Sequence, residues 1–391
     1  MSDTGGGHRA SANALNQMMQ ELRADEDDTD VRIVDIWTEC GAWPYNKMAA
    51  GYPWMQKHPW SWRAMYFVSV VFEVPWAIET RVRCGRKFRR YIQDYDPDMV
   101  VSLHPLCQHL PLTILKRQER ETGRRIPFAT VCTDLGGAHP GWFHRDADAC
   151  YVPSDAVRAV AKSRGVVEGK IRQFGLPLRA DFWRASAAHA KPSDQRYDEL
   201  GLTPKLKTVL VIGGGDGVGS LGSIVEATAT KLAEECPGKG QVVALCGKNA
   251  KVRAALEAKN DAGLFGDVEV VVRGFTSEIS AYMEVADCLV TKAGPGTIAE
   301  AATRALPTML SSFLPGQEAG NVPYVIDKGF GEYSTQPKEI ADRVAAWLQD
   351  EGTLREMRKN ARAAATPKAT KQIARDILRI LDENPPPPAT I

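Results

Sequence analysis

Thr291-Lys292-Ala293-Gly294-Pro295-Gly296-Thr297-Ile298-Ala299-Glu300 decides the fold. The segment leaves an apolar run at 288–291, turns through two glycines and enters a helical run at 297–304. A strand that ends in a glycine turn at a helix start is the βα unit of a parallel sheet, and its amides and positive helix end favour an anion. Thr297 is placed to cap that helix or touch phosphate. Glu300 is either the partner in a capping box or a carboxylate for the two hydroxyls of a ribose.

The same alternation runs outward in both directions. Upstream lie a strand at 208–212, a glycine loop at 213–219, a helix at 224–235, a strand at 241–246, a helix at 252–258, a strand at 268–273 and a helix at 278–285. The loop ends without the Gly-Lys-Ser/Thr of a P-loop, so it is either a flexible turn or a second close approach of backbone to ligand. Downstream, Gln317-Glu318-Ala319-Gly320-Asn321 offers three polar side chains suited to sugar hydroxyls, with a solvated loop as the alternative. Helical runs at 340–349 and 368–381 precede a proline-rich, extended tail at 384–391.

The first half repeats the pattern. A loop at 1–9 leads into a helix at 10–23, then strands at 31–37, 99–103, 128–133, 149–152 and 171–174, with helices near 111–121 and at 154–163. A polar stretch at 185–207 reads as a linker. The expected architecture is α/β, with two Rossmann-like βαβ domains at 1–184 and 208–367, a C-terminal helix at 368–383, a disordered tail at 384–391 and an interdomain cleft for ligands.

Composition narrows the function. The 391 residues carry 44% hydrophobic and 25% charged side chains, as a soluble globular protein does, and a net charge of +1 argues against a nucleic-acid partner. Eight scattered cysteines without a CxxC pair read as reduced thiols used for packing. No secretory signal is visible, and the longest apolar run, 64–78, holds Glu73 and Pro75, so membrane contact is expected to be peripheral. Six of the nine Trp lie between Trp37 and Trp76, and Arg81, Arg83, Arg86, Lys87, Arg89 and Arg90 follow. That order suits a headgroup layer and anionic lipid; an aromatic core patch beside a solvated helix face is the alternative.

For chemistry, Gly5-Gly6-Gly7-His8 puts a histidine at a helix start, where its pKa of ~6.5 and the positive helix end favour the neutral base. Asp134, after the strand at 128–133, either orients His8 or is itself the base. His104, His109, His139 and His144 do not have convincing zinc spacing and no DxD stands in a convincing loop, so no metal is expected. Amides at 294–297 would meet a diphosphate instead.

Several segments carry a resemblance. Ser2-Asp3-Thr4-Gly5-Gly6-Gly7-His8-Arg9-Ala10-Ser11-Ala12 resembles the N-terminal signature of the monogalactosyldiacylglycerol synthases, and His139-Pro140-Gly141-Trp142-Phe143-His144 is similar to that family's HPTWFH, with Gly141 in place of Thr. Phe174–Arg179, the second glycine loop, 292–300 and 316–323 match in order. The resemblance implies the GT-B fold of family 28 type, UDP-galactose as donor, diacylglycerol as acceptor, inversion to the β-galactoside and peripheral attachment to the anionic lipids of a plastid envelope. It implies His8 as catalytic residue and acceptor contacts from Gly7, Pro44, Trp142 and Arg179. Donor contacts are implied for Gly214, Gly215, Gly217, Phe275, Gly294, Pro295, Gly296, Thr297, Glu300, Gln317, Glu318, Gly320 and Asn321. The family's pattern has an apolar strand ahead of the first glycine loop, so the first sheet is expected to show a gap. A UDP-glucose-dependent diacylglycerol glucosyltransferase, or an inactive truncated homologue that binds UDP-sugar or lipid, are the alternatives.

Overall fold

Strands β1 (Val100–Ser102), β2 (Phe128–Val131), β3 (Ala149–Val152) and β4 (Ile171–Gln173) pair in that order, all parallel. The second sheet is also wholly parallel. Its strands are β5 (Lys207–Ile212), β6 (Gly240–Leu245), β7 (Glu269–Arg273), β8 (Cys288–Lys292), β9 (Thr308–Ser312) and β10 (Gly331–Tyr333), in the order β10-β9-β8-β5-β6-β7. Val209 to Ile212 and Val242 to Leu245 are buried without a break. Sheets covered on both faces produce such continuous apolar runs, which is why these strands read clearly from sequence.

The computed structural model describes residues 1–3, 6–24, 29–184, 193–213 and 220–385. Two units form: Met1–Ala180 with Leu314–Gly320 and Lys368–Ile391, and Asp181–Phe313 with Asn321–Pro367. The expected boundary at 184/208 is therefore close, but two later segments return to the first unit. The helix Ala369–Asp382 is fastened there by Thr370, whose Oγ1 accepts from Leu178 N (2.9 Å), and by Asp376, which accepts from Tyr151 OH (2.9 Å). Part of the expected linker is the helix Asp194–Leu200, and its residues 185–192 lie outside the described residues. In the second unit the helix Glu351–Ala364 was not anticipated.

In the first unit, helix α1 spans Gly6–Leu22, so the expected loop is shorter and His8 sits in the helix's first turn. The strand expected at 31–37 does not form. Asp35 caps a short helix α2 (Ile36–Cys40), accepting from the Trp37 and Thr38 amides, while Glu39 accepts from the Asp35 amide (3.1 Å). Reciprocal capping of this kind stops an extended run. The only backbone-to-backbone bonds of 31–34 among the described residues go to Met1, whose N–H donates to Val34 O (2.9 Å). A cavity of about 380 Å³ beside β1 is lined by Val31, Ile33, Val101 and Leu103, among others.

Residues 48–95, unassigned from sequence, are three helices: α3 (Met48–Lys57), α4 (Pro59–Val71) and α5 (Glu73–Tyr95). Cys84, Phe88 and Ile92 bury one face of α5 with Leu110 and Ile114 in the core. The opposite face does not follow the rule that helices bury their apolar stripe. Phe67, Val71, Val74, Ile78 and Val82 recur at helical spacing and are all exposed.

Candidate active site

His8 is buried, and its Nδ1 lies 2.9 Å from Thr133 Oγ1, just beyond β2. The ring meets His104 edge-on at 5.0 Å and Trp142 at 5.8 Å. Burial, then the nearby N-terminal charge, lowers its pKa to about 4, so His8 is a neutral imidazole at neutral pH. With Nδ1 turned to the hydroxyl, Nε2 makes no hydrogen bond among the described residues. A neutral ring whose Nδ1–H donates to Thr133 keeps a bare Nε2, the form a general base requires.

Asp134 does not orient His8; the neighbouring hydroxyl does. Its carboxylate accepts instead from Trp142 Nε1 (2.7 Å), the His139 amide (3.3 Å) and the Gln317 side chain. Burial raises its pKa to about 6, against the pull of those three donors. Trp142, read as an acceptor contact, is fully buried and held by this bond beside His8. Gly141 fits for a steric reason: a Cβ there would lie 2.8 Å from Pro105 O. Gly7 is exposed, and a Cβ on it would meet nothing within 4 Å. Pro44 is exposed before the turn Tyr45–Lys47, and Arg179 is half-buried near the end of the first unit's main segment.

Thr133 was missed from sequence. The signal was a polar pair, Thr133-Asp134, at the carboxyl end of a strand, where ligand-facing residues of parallel sheets collect. Thr133→Val removes the acceptor for Nδ1–H and frees the wrong tautomer. The expected loss in kcat is about 10- to 100-fold, below the ~10⁴ from losing a charged orienting partner, because a hydroxyl is neutral. Thr133→Ser restores the rate, whereas a packing role would not be rescued by a serine lacking the methyl.

Part of the second sugar-reading group also belongs to the first unit. Gly320 packs so closely on residue 136 that a Cβ would lie 2.6 Å from Gly136 O, and Gly316, at φ +89°, lies under the Tyr66 ring. These contacts and the Gln317–Asp134 bond stitch 314–320 to that unit. Glu318 is buried and accepts from Leu314 N (2.8 Å), so it shapes its own turn.

In the second unit, β8 ends at Lys292 and a helix runs Pro295–Thr303 with Gly294 as N-cap. Gly294 has no side chain, so the capping box does not form, and Thr297 is not the cap. The first helical bond runs from Ile298 N to Gly294 O (3.0 Å), which leaves the Gly296 and Thr297 amides without helical partners. Asn321 donates through Nδ2 to Ala293 O (2.8 Å) and is buried, so it braces this turn. Pro295, Thr297 and Glu300 are half-buried, and Phe275 is 70% exposed. Gly214, Gly215 and Gly217 lie outside the described residues.

Two wholly parallel α/β units, one with a neutral histidine and one with a glycine turn opening a helix, have the GT-B architecture. Acinetobacter baumannii MurG superimposes with a TM-score of 0.56 at 15% identity over 96% of both chains. The UDP co-structure of S. aureus MnaA does so with 0.53 at 15% identity, over 76% of this chain and 78% of that one. The family model described as monogalactosyldiacylglycerol (MGDG) synthase matches residues 8–178, and that of the glycosyltransferase family 28 C-terminal domain matches 208–376. The chloroplastic monogalactosyldiacylglycerol synthase of Spinacia oleracea is 39% identical over 96% of this chain and 71% of its own. Monogalactosyldiacylglycerol synthase 1 of Arabidopsis thaliana is 38% identical over 96% and 69%. The chain belongs to the monogalactosyldiacylglycerol synthase family.

Proposed function

We propose that the protein transfers galactose from UDP-galactose to the free hydroxyl of a 1,2-diacylglycerol, with inversion, at a plastid envelope surface. The observation that carries this reading, beside the family, is His8: neutral, buried, and held at Nδ1 by the Thr133 hydroxyl, with Nε2 making no hydrogen bond among the described residues. The acceptor oxygen attacks the anomeric carbon as its proton passes to Nε2. The anomeric C–O bond to the diphosphate breaks, and its electron pair leaves on UDP. Attack opposite the leaving group gives the β-galactoside. The amides at the start of Pro295–Thr303 that lack helical partners would receive the diphosphate, and the half-buried Glu300 the ribose hydroxyls. No metal is needed in this scheme, so EDTA is expected to leave the rate within twofold; a loss restored by Mg²⁺ or Mn²⁺ would overturn that.

The acceptor is a lipid, and among the described residues no helix is long and apolar enough to cross a membrane. Attachment is therefore assigned to the exposed stripe of α4 and α5. Transfer of radiolabel from UDP-galactose and UDP-glucose to diacylglycerol vesicles tests the reaction. The galactolipid should form at least tenfold faster; equal or reversed rates would replace galactose by glucose, and none with either donor would leave a binding protein.

A further inference from the structure

β7 is the outer strand of the second sheet: β6 lies on one side of it and no strand on the other among the described residues. The ladder sets which way its backbone faces. Arg273 O accepts from the Cys246 amide (2.8 Å), and alternate residues of a parallel strand face the same neighbour. Glu269, Val271 and Arg273 therefore turn to β6, while Val270 and Val272 turn their N–H and C=O outward. No backbone group among the described residues meets those outward groups. They open on a groove of about 350 Å³, lined by β7 itself, by Gly201 and by Glu257, Asn260 and Asp261 of the helix Ala250–Asp261. The Arg273 side chain folds back over this edge. Its Nη1 donates to Val272 O (3.2 Å), its Nη2 to Leu200 O (3.2 Å) and its Nε to Tyr282 OH (3.3 Å), all at the long end of the range for such bonds.

We propose that this edge pairs with the same edge of a second copy of the chain, so that one sheet runs through a two-fold dimer. The strand reads Glu269-Val270-Val271-Val272-Arg273, and it complements itself when reversed. With the two-fold axis at Val271, Val270 stands opposite the partner's Val272 and Glu269 opposite the partner's Arg273. The valine pair joins two outward-facing residues, so each copy of it exchanges both N–H···O bonds. The Glu–Arg pair is of the non-hydrogen-bonded kind, whose side chains approach more closely, and it carries opposite charges. An axis at Val270 would set Glu269 against a valine, and one at Val272 would do the same to Arg273, so charge selects the register. Both bonds come from one movement. When the Arg273 guanidinium leaves Val272 O for the partner's Glu269, it uncovers the carbonyl that the partner's Val270 N–H requires. Glu269 accepts from Thr203 Oγ1 (2.7 Å) through Oε2 and keeps its other oxygen for that contact. The acidic rim alone would suit any basic strand, but Glu257 already pairs with Arg253 (2.8 Å), and a second copy also uses Arg273. Open edges template indiscriminate pairing, and a closed two-fold pair removes the edge.

The test is sedimentation velocity of the full chain across a concentration series, in detergent micelles that cover the exposed row of α4 and α5. Wild type should pass from monomer to dimer. Glu269→Arg sets arginine against the partner's Arg273 at both ends of the pair and should weaken the dimer about tenfold or more. It changes an exposed side chain and should keep the wild-type Tm. Arg273→Glu should weaken the dimer in the same way. An equimolar mixture of the two variants should recover it, because every pair in the mixed dimer is again Arg against Glu. Arg273→Glu also gives up the bonds to Leu200 and Tyr282, so Val270→Pro provides an independent variant: it deletes the outward N–H at an edge position, where proline is tolerated, and should lose the dimer with Tm kept. A wild type that stays monomeric throughout the series overturns the proposal. So does a dimer that Glu269→Arg leaves intact, which would place the contact on another surface. A mixture that stays monomeric while both of its variants keep their Tm overturns it as well.

Discussion

His8→Ala leaves a protein that binds UDP as wild type does and transfers galactose roughly a thousandfold more slowly, since a positioned general base contributes ~10²–10⁴. Because the base acts on the acceptor, the loss falls on kcat and kcat/KM together and spares donor affinity. His8→Asn keeps a donor for Thr133 and removes less volume than alanine does, so equal loss in both variants separates chemistry from packing. The pH profile provides a second handle. With His8 lowered to about 4, its neutral form persists through the range above pH 5, so it contributes no acid limb near 6.5. Asp134, raised to about 6, does. Below that value it takes up a proton, the negative charge that its three donors face is lost, and the Trp142 anchor beside His8 weakens. The kcat/KM limb near pH 6 should therefore vanish in Asp134→Asn, at a reduced rate, and stay in Thr133→Ser. Folding is distinguishable by sign. His8 and His139, both lowered to about 4, make stability fall as pH drops from about 6.5 to 4, and Tm against pH records that loss. Asp134 runs the other way: the folded chain holds its proton more tightly than the unfolded chain, so its part of the stability falls as pH rises from about 4 to 6. A His8→Ala enzyme within a few-fold of wild type would remove His8 from the mechanism.

The parts of the fold legible in the sequence were those where burial and pattern coincide. β6 is fully buried, β5 and β8 are buried except for an end lysine, and all three read as apolar runs, while the turn at 293–296 announced itself because its glycines sit between a strand and a helix. The helices at 48–95 were opaque for the opposite reason. Their exposed apolar residues overwhelm the core face, so no single amphipathic stripe stands out. Val31 to Val34 have strand composition, yet composition does not supply a neighbour to pair with, and the Asp35 cap ends the run. At the site, the sequence singles out His8 by its glycines and Trp142 by its motif, and the structure places the two rings 5.8 Å apart. The roles of Gln317, Glu318 and Asn321 were not, because a polar side chain in a loop looks the same whether it faces a ligand or bonds its own turn. Thr133 is a long-range neighbour of His8, and only tertiary structure brings it there.

Vesicle binding is the other large effect. Ten of the fourteen exposed large hydrophobic side chains among the described residues lie between Trp43 and Val82. Phe67, Val71, Val74, Ile78 and Val82 form one row across α4 and α5, and Arg86, four residues beyond Val82, continues it with positive charge. Burial of that row in a lipid surface would stabilise attachment through apolar area, while Trp43, Trp54 and Trp60 are exposed as a headgroup belt would be. Not all the basic residues are equally available: Arg83 pairs with Glu79 and Arg89 with Glu121, whereas Arg81, Arg86 and Lys87 have no ion pair among the described residues. Each charge near an anionic surface contributes about 1 kcal/mol, so Arg81/Arg86/Lys87→Gln should lose about 3 kcal/mol, on the order of a hundredfold, at low salt. Raising ionic strength shortens the Debye length and should bring wild type towards this variant. A Phe67/Val71/Ile78→Ser variant should lose binding at every salt concentration and on neutral lipid as well, because its deficit is hydrophobic. Trp37 sits in the core and must be left intact in any such series. Co-sedimentation across the salt series separates the two contributions. Equal sedimentation of all three proteins on anionic and neutral vesicles would mean the stripe is covered by something other than lipid, and the acceptor would then reach His8 from another side.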